Sequence, residues 1–312
     1  MHRTLEITVA PADTDALCQD LAQLEGVLSL SVQRGSSLQP PGDVVTVHAL
    51  ARAADAVVCR VAALQGGTPL SIVTSEVSSI IDAAHAPLSI DGDVDDALWE
   101  EMETGLSDQA WVTPNYLSLM ALGGAVAASG LGDEPVRQAV SLVAASVIAP
   151  GFEPIIKLPL GLVLQRGQLV RRGLVSVASG YAAFILAAAV LFLLLRVTGT
   201  VSVAQLVHNS GVQRLTHPTL SDVLSSAGAA AAGTVMVTAY RRTVLSGPLI
   251  ALVLFHAAAL VGAALVSGQG ALFVGALGRF ALDLVLVVGI GALVFTLKRH
   301  TTHRRAPVVE SS

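Results

Sequence analysis

Two oppositely charged side chains interrupt a long apolar run in the sequence SVIAPGFEPIIKLPLG, residues 146–161. Glu153 and Lys157 are four residues apart, the spacing that places two side chains on one face of a helix. A lone charge at the centre of a bilayer costs roughly 2.5–3.5 kcal/mol on insertion scales. We therefore expect both side chains inside a helical bundle. They form either a structural ion pair or part of a polar path for an ion, a proton or a small solute.

Three prolines lie in the same stretch. Pro150, Pro154 and Pro159 each lack a backbone N–H group and clash with the preceding turn of a helix. Backbone freed in this way is tolerated at membrane depth only where it is buried in protein or lines a water-filled cavity. The prolines therefore predict an interrupted helix whose break faces the interior of a bundle.

Three further polar residues lie in apolar segments nearer the C-terminus. Arg279 and Asp283 are four residues apart, and His256 lies in LVLFHAAALVG. Arg279 and Asp283 are predicted to pair within one helix; the alternative is that Asp283 faces the same cavity as Glu153. For His256, a hydrogen bond to a neighbouring helix and a proton relay are the alternatives. With Pro150, Glu153, Pro154 and Lys157, these three residues make up the predicted substrate or ion path.

Catalytic and metal-binding patterns are missing from the sequence. The apolar half contains neither H-E-x-x-H nor G-x-S-x-G. Cys18 and Cys59 do not form a C-x-x-C pair. We therefore predict no enzymatic activity, no catalytic residues, no cofactor and no metal.

Charge divides the chain into two regions. Only 13% of the residues are charged and the mean hydropathy is +0.69, whereas soluble domains carry about 25% charged residues. Residues 1–112 contain 17 Asp and Glu against 4 Arg, a formal charge of −13; residues 113–312 contain 14 Lys and Arg against 6 Asp and Glu, a formal charge of +8. This asymmetry predicts a soluble head followed by a membrane domain. The acidic head argues against binding to nucleic acid.

The head, residues 1–82, shows alternating strand and helix patterns. Apolar residues at every second position predict strands at 3–10, 27–35, 43–50 and 71–80. Helical spacing predicts helices at 12–26 and 53–65. The order β-α-β-β-α-β is that of a ferredoxin-like α+β domain. Such folds serve many roles, and we expect the head to regulate or assemble rather than to catalyse.

Six apolar segments follow an acidic linker helix, residues 83–112, which carries Leu98, Met102 and Leu106 on one stripe. A membrane span needs about 20 apolar residues. The six segments are 114–131, 138–164, 173–195, 221–240, 244–266 and 272–297. They predict a six-helix transmembrane domain at 113–298 and a basic tail at 299–312.

The basic residues between the segments predict the orientation. With both termini in the cytoplasm, nine Lys and Arg lie inside and three lie outside, as the positive-inside rule favours. We therefore expect a multi-pass protein of the cell (inner or plasma) membrane. Because each half of the domain has three segments, a repeat of the first half would enter from the opposite side. A 3+3 inverted repeat of this kind is a recurring transporter plan.

Residues 142–162, LVAASVIAPGFEPIIKLPLGL, resemble the signature of an uncharacterised prokaryotic membrane family, domain of unknown function 389. That signature reads approximately V-I-G-A-M-L-I-A-P-L-M-G-P-I-I-G-L-A-L-G-L. The matching positions are Ile148, Ala149, Pro150, Pro154, Ile155, Ile156, Leu158, Leu160, Gly161 and Leu162. The resemblance implies a small N-terminal domain before a hydrophobic one, and it implies no established substrate.

The chain departs from that family pattern at informative positions. Glu153 and Lys157 stand where the signature has glycine, and Phe255-His256 stands where the family tends to have Pro-Pro. Asp283 falls where the family often has asparagine, so the resemblance implies a polar group there.

Together these features predict a transporter or channel for a small solute or ion, with its path at the proline-broken second membrane helix. The alternative is a membrane-anchored sensor or scaffold whose head binds a ligand or a partner. The expected partners are the lipid bilayer, further copies of the chain in a homo-oligomer and a small solute or ion, and no nucleic acid is expected.

Overall fold

The computed structural model describes residues 2–64, 71–77, 97–109, 111–239 and 246–301, and for 107–109 and 246–253 it describes the backbone alone. The chain divides into two compact units. The first contains the residues up to Met102, and the second is Glu103–Arg304.

The first unit has a four-stranded sheet and two helices. The strands are β1 (His2–Val9), β2 (Val27–Leu38), β3 (Pro41–Leu50) and β4 (Ser71–Val77), and the helices are α1 (Thr14–Ala22) and α2 (Ala51–Ala63). The sheet order is β2-β3-β1-β4, and all neighbouring strands are antiparallel. The predicted β-α-β-β-α-β order is therefore confirmed.

Two of the boundaries that differ from the sequence prediction have a clear physical reason. Helix α1 ends four residues before Gly26, which has a φ of +92° in the turn into β2. That backbone conformation suits glycine, which has no Cβ. Strand β3 begins at Pro41, a residue predicted to lie in the turn. Proline is tolerated as the first residue of a strand because its missing N–H group need not join the ladder.

Alternate strand residues form the core of this unit. Leu5 and Ile7 on β1 and Val45 and Val47 on β3 are fully buried, and they pack in one cluster with residues of α1 and α2 such as Leu17. The side chains of a strand alternate between faces. This period-two burial explains why the strands could be located in the sequence.

Helix α3 (Trp99–Gln109) corresponds to the C-terminal part of the predicted linker helix. Leu98, Met102 and Leu106 are buried, which confirms the predicted stripe. Residues 83–96 of the linker lie outside the described residues.

Nine helices make up the described part of the second unit after α3. They are α4 (Pro114–Ser129), α5 (Pro135–Ile148), α6 (Phe152–Val163), α7 (Gly167–Val197), α8 (Val203–His208), α9 (Ser210–Thr216), α10 (Leu220–Thr238), α11 (Ser246–Ser267) and α12 (Gly270–Thr301). Helix α7 packs against α4, α6 and α11, and α12 packs against α6, α10 and α11.

Three of these helices, α7, α10 and α12, are long and apolar enough to cross a membrane, and the bent pair α5 and α6 makes a fourth crossing if it counts as one. Helix α4 has 16 residues, fewer than the roughly 20 that a span requires. The described apolar part of α11, Leu254–Ser267, is also short. Membrane character is thus supported, while the predicted count of six crossings is not confirmed.

The predicted interruption of the second apolar segment is observed. Helices α5 and α6 meet at an angle of 58°, and Pro150 lies between them. Pro154 causes no break because it lies in the first turn of α6, where backbone N–H groups have no intrahelical partner. Pro159 lies inside α6, with its ring next to Gly291 of α12. Only one of the three prolines therefore marks the bend.

Candidate functional site

The break between α5 and α6 is covered by aromatic side chains. The hydroxyl group of Tyr181 on α7 donates a hydrogen bond of 3.2 Å to the carbonyl oxygen of Gly151. A Cβ atom added to Gly151 would lie 2.3 Å from the Phe255 ring, so this ring packs directly on the backbone of the break. Tyr181, Phe184, Phe255 and Phe280 form one cluster, with ring centroids 4.7–6.3 Å apart in the contacting pairs. We call these four residues the aromatic cluster.

Glu153 lies in the first turn of α6 and is half-buried. It lies at the N-terminal end of this helix, where the helix dipole favours negative charge. Among the ion pairs of the described residues, Glu153 does not pair with Lys157. The predicted pair of Glu153 and Lys157 is therefore not observed among these ion pairs.

Lys157, one turn further along α6, is buried and lines a cavity of about 340 Å³. The other lining residues are Trp111, Val112, Gln168, Arg171, Arg172, Val175 and Ser176. Three of the eight residues are basic and none is acidic. We call this space the basic cavity.

Gly173 lets α6 approach α7 closely beside the basic cavity. A Cβ atom added there would lie 2.8 Å from Cδ2 of Leu158 and 3.2 Å from Cβ of Lys157. Since α6 and α7 are joined by a short connection, this close contact brings Lys157 next to the first turns of α7, which carry Arg171 and Arg172.

Two contacts order the wall of the basic cavity. The guanidinium group of Arg172 lies 5.2 Å from the centroid of the Trp111 ring, a cation–π contact. The hydroxyl group of Tyr116 on α4 donates a 2.8 Å hydrogen bond to the carbonyl oxygen of Ser176. The entry to α4 is thus tied to the first turns of α7.

The predicted helical pair of Arg279 and Asp283 is observed. Nε of Arg279 donates to Oδ2 of Asp283 over 2.8 Å, and both side chains are at least 95% buried. The guanidinium group also donates to Oγ of Ser226 on α10 over 2.7 Å. Oδ1 of Asp283 is buried and has no hydrogen-bond partner among the described residues. This cluster joins α10 to α12.

His256 makes a hydrogen bond between helices, the first of its two predicted alternatives. Its Nε2 atom lies 2.9 Å from Nε2 of Gln138 on α5, which is buried. Because His256 follows Phe255 directly, this bond lies beside the aromatic cluster.

The structure distributes the seven predicted path residues over two places. Lys157 lines the basic cavity, whereas Glu153, His256, Arg279 and Asp283 are not among its lining residues. Arg279 and His256 are instead the chain neighbours of Phe280 and Phe255 in the aromatic cluster. Neither Glu153 nor Asp283 lines the basic cavity, so this cavity does not join the two acids.

Several residues of these sites were not predicted. Trp111, Gln168 and Ser176 line the basic cavity, and Gln138 and Ser226 are partners of predicted residues. The sequence signal that could have indicated the basic cavity was the pair of adjacent arginines at 171 and 172, shortly after the proline-rich segment. Within the described part of the chain, no group of three His, Cys, Asp or Glu side chains is arranged to hold a metal ion.

Comparisons with known proteins agree with the resemblance seen in the sequence. Neither the curated proteins nor the solved structures contain a match to this chain. Residues 147–289, from the end of α5 into α12, match the sequence model of the family described as Domain of unknown function (DUF389), which confirms the resemblance seen in the proline-rich motif.

Proposed function

We propose that this protein is an integral membrane transporter or channel for a small solute or ion, with its path at the broken helix formed by α5 and α6. One observation carries the proposal: the basic cavity is walled by Lys157 of α6, two turns from the break at Pro150. A lysine buried in an apolar bundle beside a cavity is the kind of residue that marks solute and ion pathways.

The same geometry corresponds to a closed state of such a path. The aromatic cluster covers the break, and Phe255 occupies the space next to Gly151. The buried polar groups of His256 and Arg279 lie beside this cluster. A solute that entered the basic cavity would pass the break only if Tyr181 and Phe255 moved away from Gly151.

The proposed architecture has six crossings: α4, the bent pair α5 and α6, α7, α10, α11 and α12. Two groups of three crossings would form an inverted repeat, with α8 and α9 as the connection. The excess of basic residues in the inside segments supports a cell-membrane location with both termini in the cytoplasm. We further propose that the ferredoxin-like head assembles the protein into a homo-oligomer.

A second candidate is a membrane-anchored sensor or scaffold whose head binds a ligand or a partner. Two observations favour it: the aromatic cluster closes the break, and the head has a hydrophobic core of its own.

Flux measurements separate the two candidates. The full chain is reconstituted into liposomes, and we measure proton flux with entrapped pyranine and uptake of radiolabelled phosphate. We expect flux above that of empty liposomes, and Glu153→Gln should abolish it without changing thermal unfolding. Glu134→Gln, which removes an exposed acid just before α5, is the matched control and should retain flux. Binding of a small molecule to the head, with no flux of either probe, would instead support the sensor.

A further inference from the structure

The basic cavity combines charge and shape in a way that the proposed path does not require. Lys157, Arg171 and Arg172 supply three positive charges, and Gln168 and Ser176 add polar groups. None of the lining residues is acidic, so a bound anion would meet no repulsion from the wall. Trp111, Val112 and Val175 form an apolar part of the same wall.

The size and the donor groups of the cavity narrow the choice of ligand. Its volume of about 340 Å³ is at the lower end of the roughly 300–1,000 Å³ range of small-molecule pockets, so it exceeds the space needed by a single halide ion. Arginine forks bind phosphate and carboxylate oxygens in pairs, and lysine binds phosphate as a point charge. Two arginines and a lysine suit a group that carries more than one charge and several oxygens.

We propose that the basic cavity is a binding site for a phosphate group, with Arg171 and Arg172 as its principal ligands. The cation–π contact with Trp111 holds the guanidinium group of Arg172 in the wall. The apolar residues then accommodate the organic part of a phosphate ester. The inference deepens the proposed function by naming the chemical class of its substrate. It rests on that function only for transport of the bound group, not for binding itself.

The phosphate group has two sources, a soluble phosphate compound and the headgroup of an anionic phospholipid. Arg171 and Arg172 lie in the first turns of α7, on the side that the positive-inside rule assigns to the cytoplasm. Basic pockets between membrane helices on that side suit lipid headgroups. Both sources require the same side chains, so one set of variants tests them.

The test measures binding without flux, so that its failure is separate from a failure of transport. The full chain in neutral detergent is titrated with inorganic phosphate at constant ionic strength and followed by calorimetry. In a second arm, the chain is placed in nanodiscs of phosphatidylcholine with and without phosphatidylglycerol, and thermal unfolding is recorded. The variants are Arg171→Gln, Arg172→Gln and the charge reversal Arg172→Glu. Arg214→Gln removes an arginine that is exposed, as Arg171 is, and that does not line the cavity; it is the matched control.

We expect each Gln variant to weaken phosphate binding about tenfold, which is the effect of losing one charge-assisted hydrogen bond. In the nanodisc arm, the same variants should reduce the stabilisation by phosphatidylglycerol. Arg172→Glu should abolish both effects, and Arg214→Gln should leave both unchanged. An effect confined to the nanodisc arm supports the proposal with lipid as the source, and an effect confined to the calorimetric arm supports it with a soluble phosphate. Equal losses in Arg214→Gln and the cavity variants, or no dependence on Arg171 and Arg172 in either arm, would overturn it.

Discussion

The hydroxyl group of Tyr181 and the carbonyl oxygen of Gly151 are joined by a hydrogen bond of 3.2 Å at the point where the second apolar segment bends. Tyr181 lies in the long helix α7, and Gly151 immediately precedes α6. The bond therefore fixes the bend to a 31-residue helix of this part of the bundle. It also gives the buried hydroxyl group the partner that it needs.

Tyr181→Phe should loosen the break at a small cost in stability. The substitution keeps the ring and removes one hydrogen bond, worth about 1 kcal/mol. We expect a lower Tm of the purified protein and faster maleimide labelling of an Ala149→Cys variant that lacks Cys18 and Cys59. Ala149 is buried at the break, so its labelling rate reports opening of the aromatic cluster.

Tyr116→Phe is the matched comparison for that experiment. This substitution also removes one hydrogen bond between a tyrosine and α7, because the Tyr116 hydroxyl group donates to the carbonyl oxygen of Ser176. That bond does not involve Gly151. We expect a similar loss of Tm with no change in labelling at position 149. Equal labelling rates in the two variants would show that the bond to Gly151 does not hold the break closed.

Gly124→Ala should strongly destabilise the contact between α4 and α7. The added Cβ atom would lie 2.1 Å from the carbonyl oxygen of Phe184, and backbone cannot move aside as a flexible side chain can. Overpacking of this kind costs typically about 1–3 kcal/mol. Thermal unfolding of the purified protein measures the loss.

Gly228→Ala is the control for the helix effect of the same substitution. Nothing lies within 4 Å of a Cβ atom at this position of α10. We expect a neutral result or a gain of about 0.4–1 kcal/mol from reduced freedom of the unfolded chain. A similar destabilisation at both glycines would contradict the proposed close approach of α4 and α7.

Features that depend on local chemistry could be predicted from the sequence. The bend at Pro150 follows from a missing N–H group, and the Arg279–Asp283 pair follows from helical spacing. The same spacing predicted a pair of Glu153 and Lys157, which both lie in α6, but no ion pair between them is among those of the described residues. Helical spacing places two side chains on one face of a helix and does not by itself bring their charged groups into contact.

Features that depend on contacts between helices could not be predicted. Gln138 and Ser226 are ordinary polar residues until packing places them beside His256 and Arg279. The basic cavity likewise requires the approach of α6 to α7 at Gly173. Segment length was a further limit: hydropathy identified apolar stretches, whereas the folded helix α4 proved shorter than a span.

Arg279→Met should cost much more stability than the loss of an exposed ion pair. It leaves the carboxylate of Asp283 buried without its partner, and breaking a buried pair costs about 3–5 kcal/mol. The double variant Arg279→Met/Asp283→Leu should recover most of the loss because it removes both charges. Arg137→Gln breaks the exposed pair with Asp133 and should cost less than about 1 kcal/mol. Failure of the double variant to recover stability would show that Arg279 acts mainly through Ser226.

The head should lose stability in acid through Asp43. The backbone N–H of Gly35 donates to Oδ1 of this residue over 2.7 Å and the Thr14 hydroxyl group donates to Oδ2 over 2.8 Å, while Arg34 lies 3.7 Å away. The Gly35 bond first, then the Thr14 bond and the charge of Arg34, lower the pKa of Asp43 below its ordinary value of 3.8. Because the folded pKa is the lower one, the stabilisation is complete above the ordinary value and is lost as the pH falls through the folded pKa.

Asp43→Asn should therefore flatten the acid limb of the stability profile of the head. The buried Trp99 belongs to the first unit, so its fluorescence in a Trp111→Phe background follows thermal unfolding of the head within the full chain. We expect the Tm of the parent to fall more steeply than that of Asp43→Asn between about pH 5 and pH 2. Glu25→Gln, at an exposed acid, should retain the steep profile of the parent. Parallel profiles for the parent and Asp43→Asn would mean that other carboxyl groups control the acid unfolding of the head.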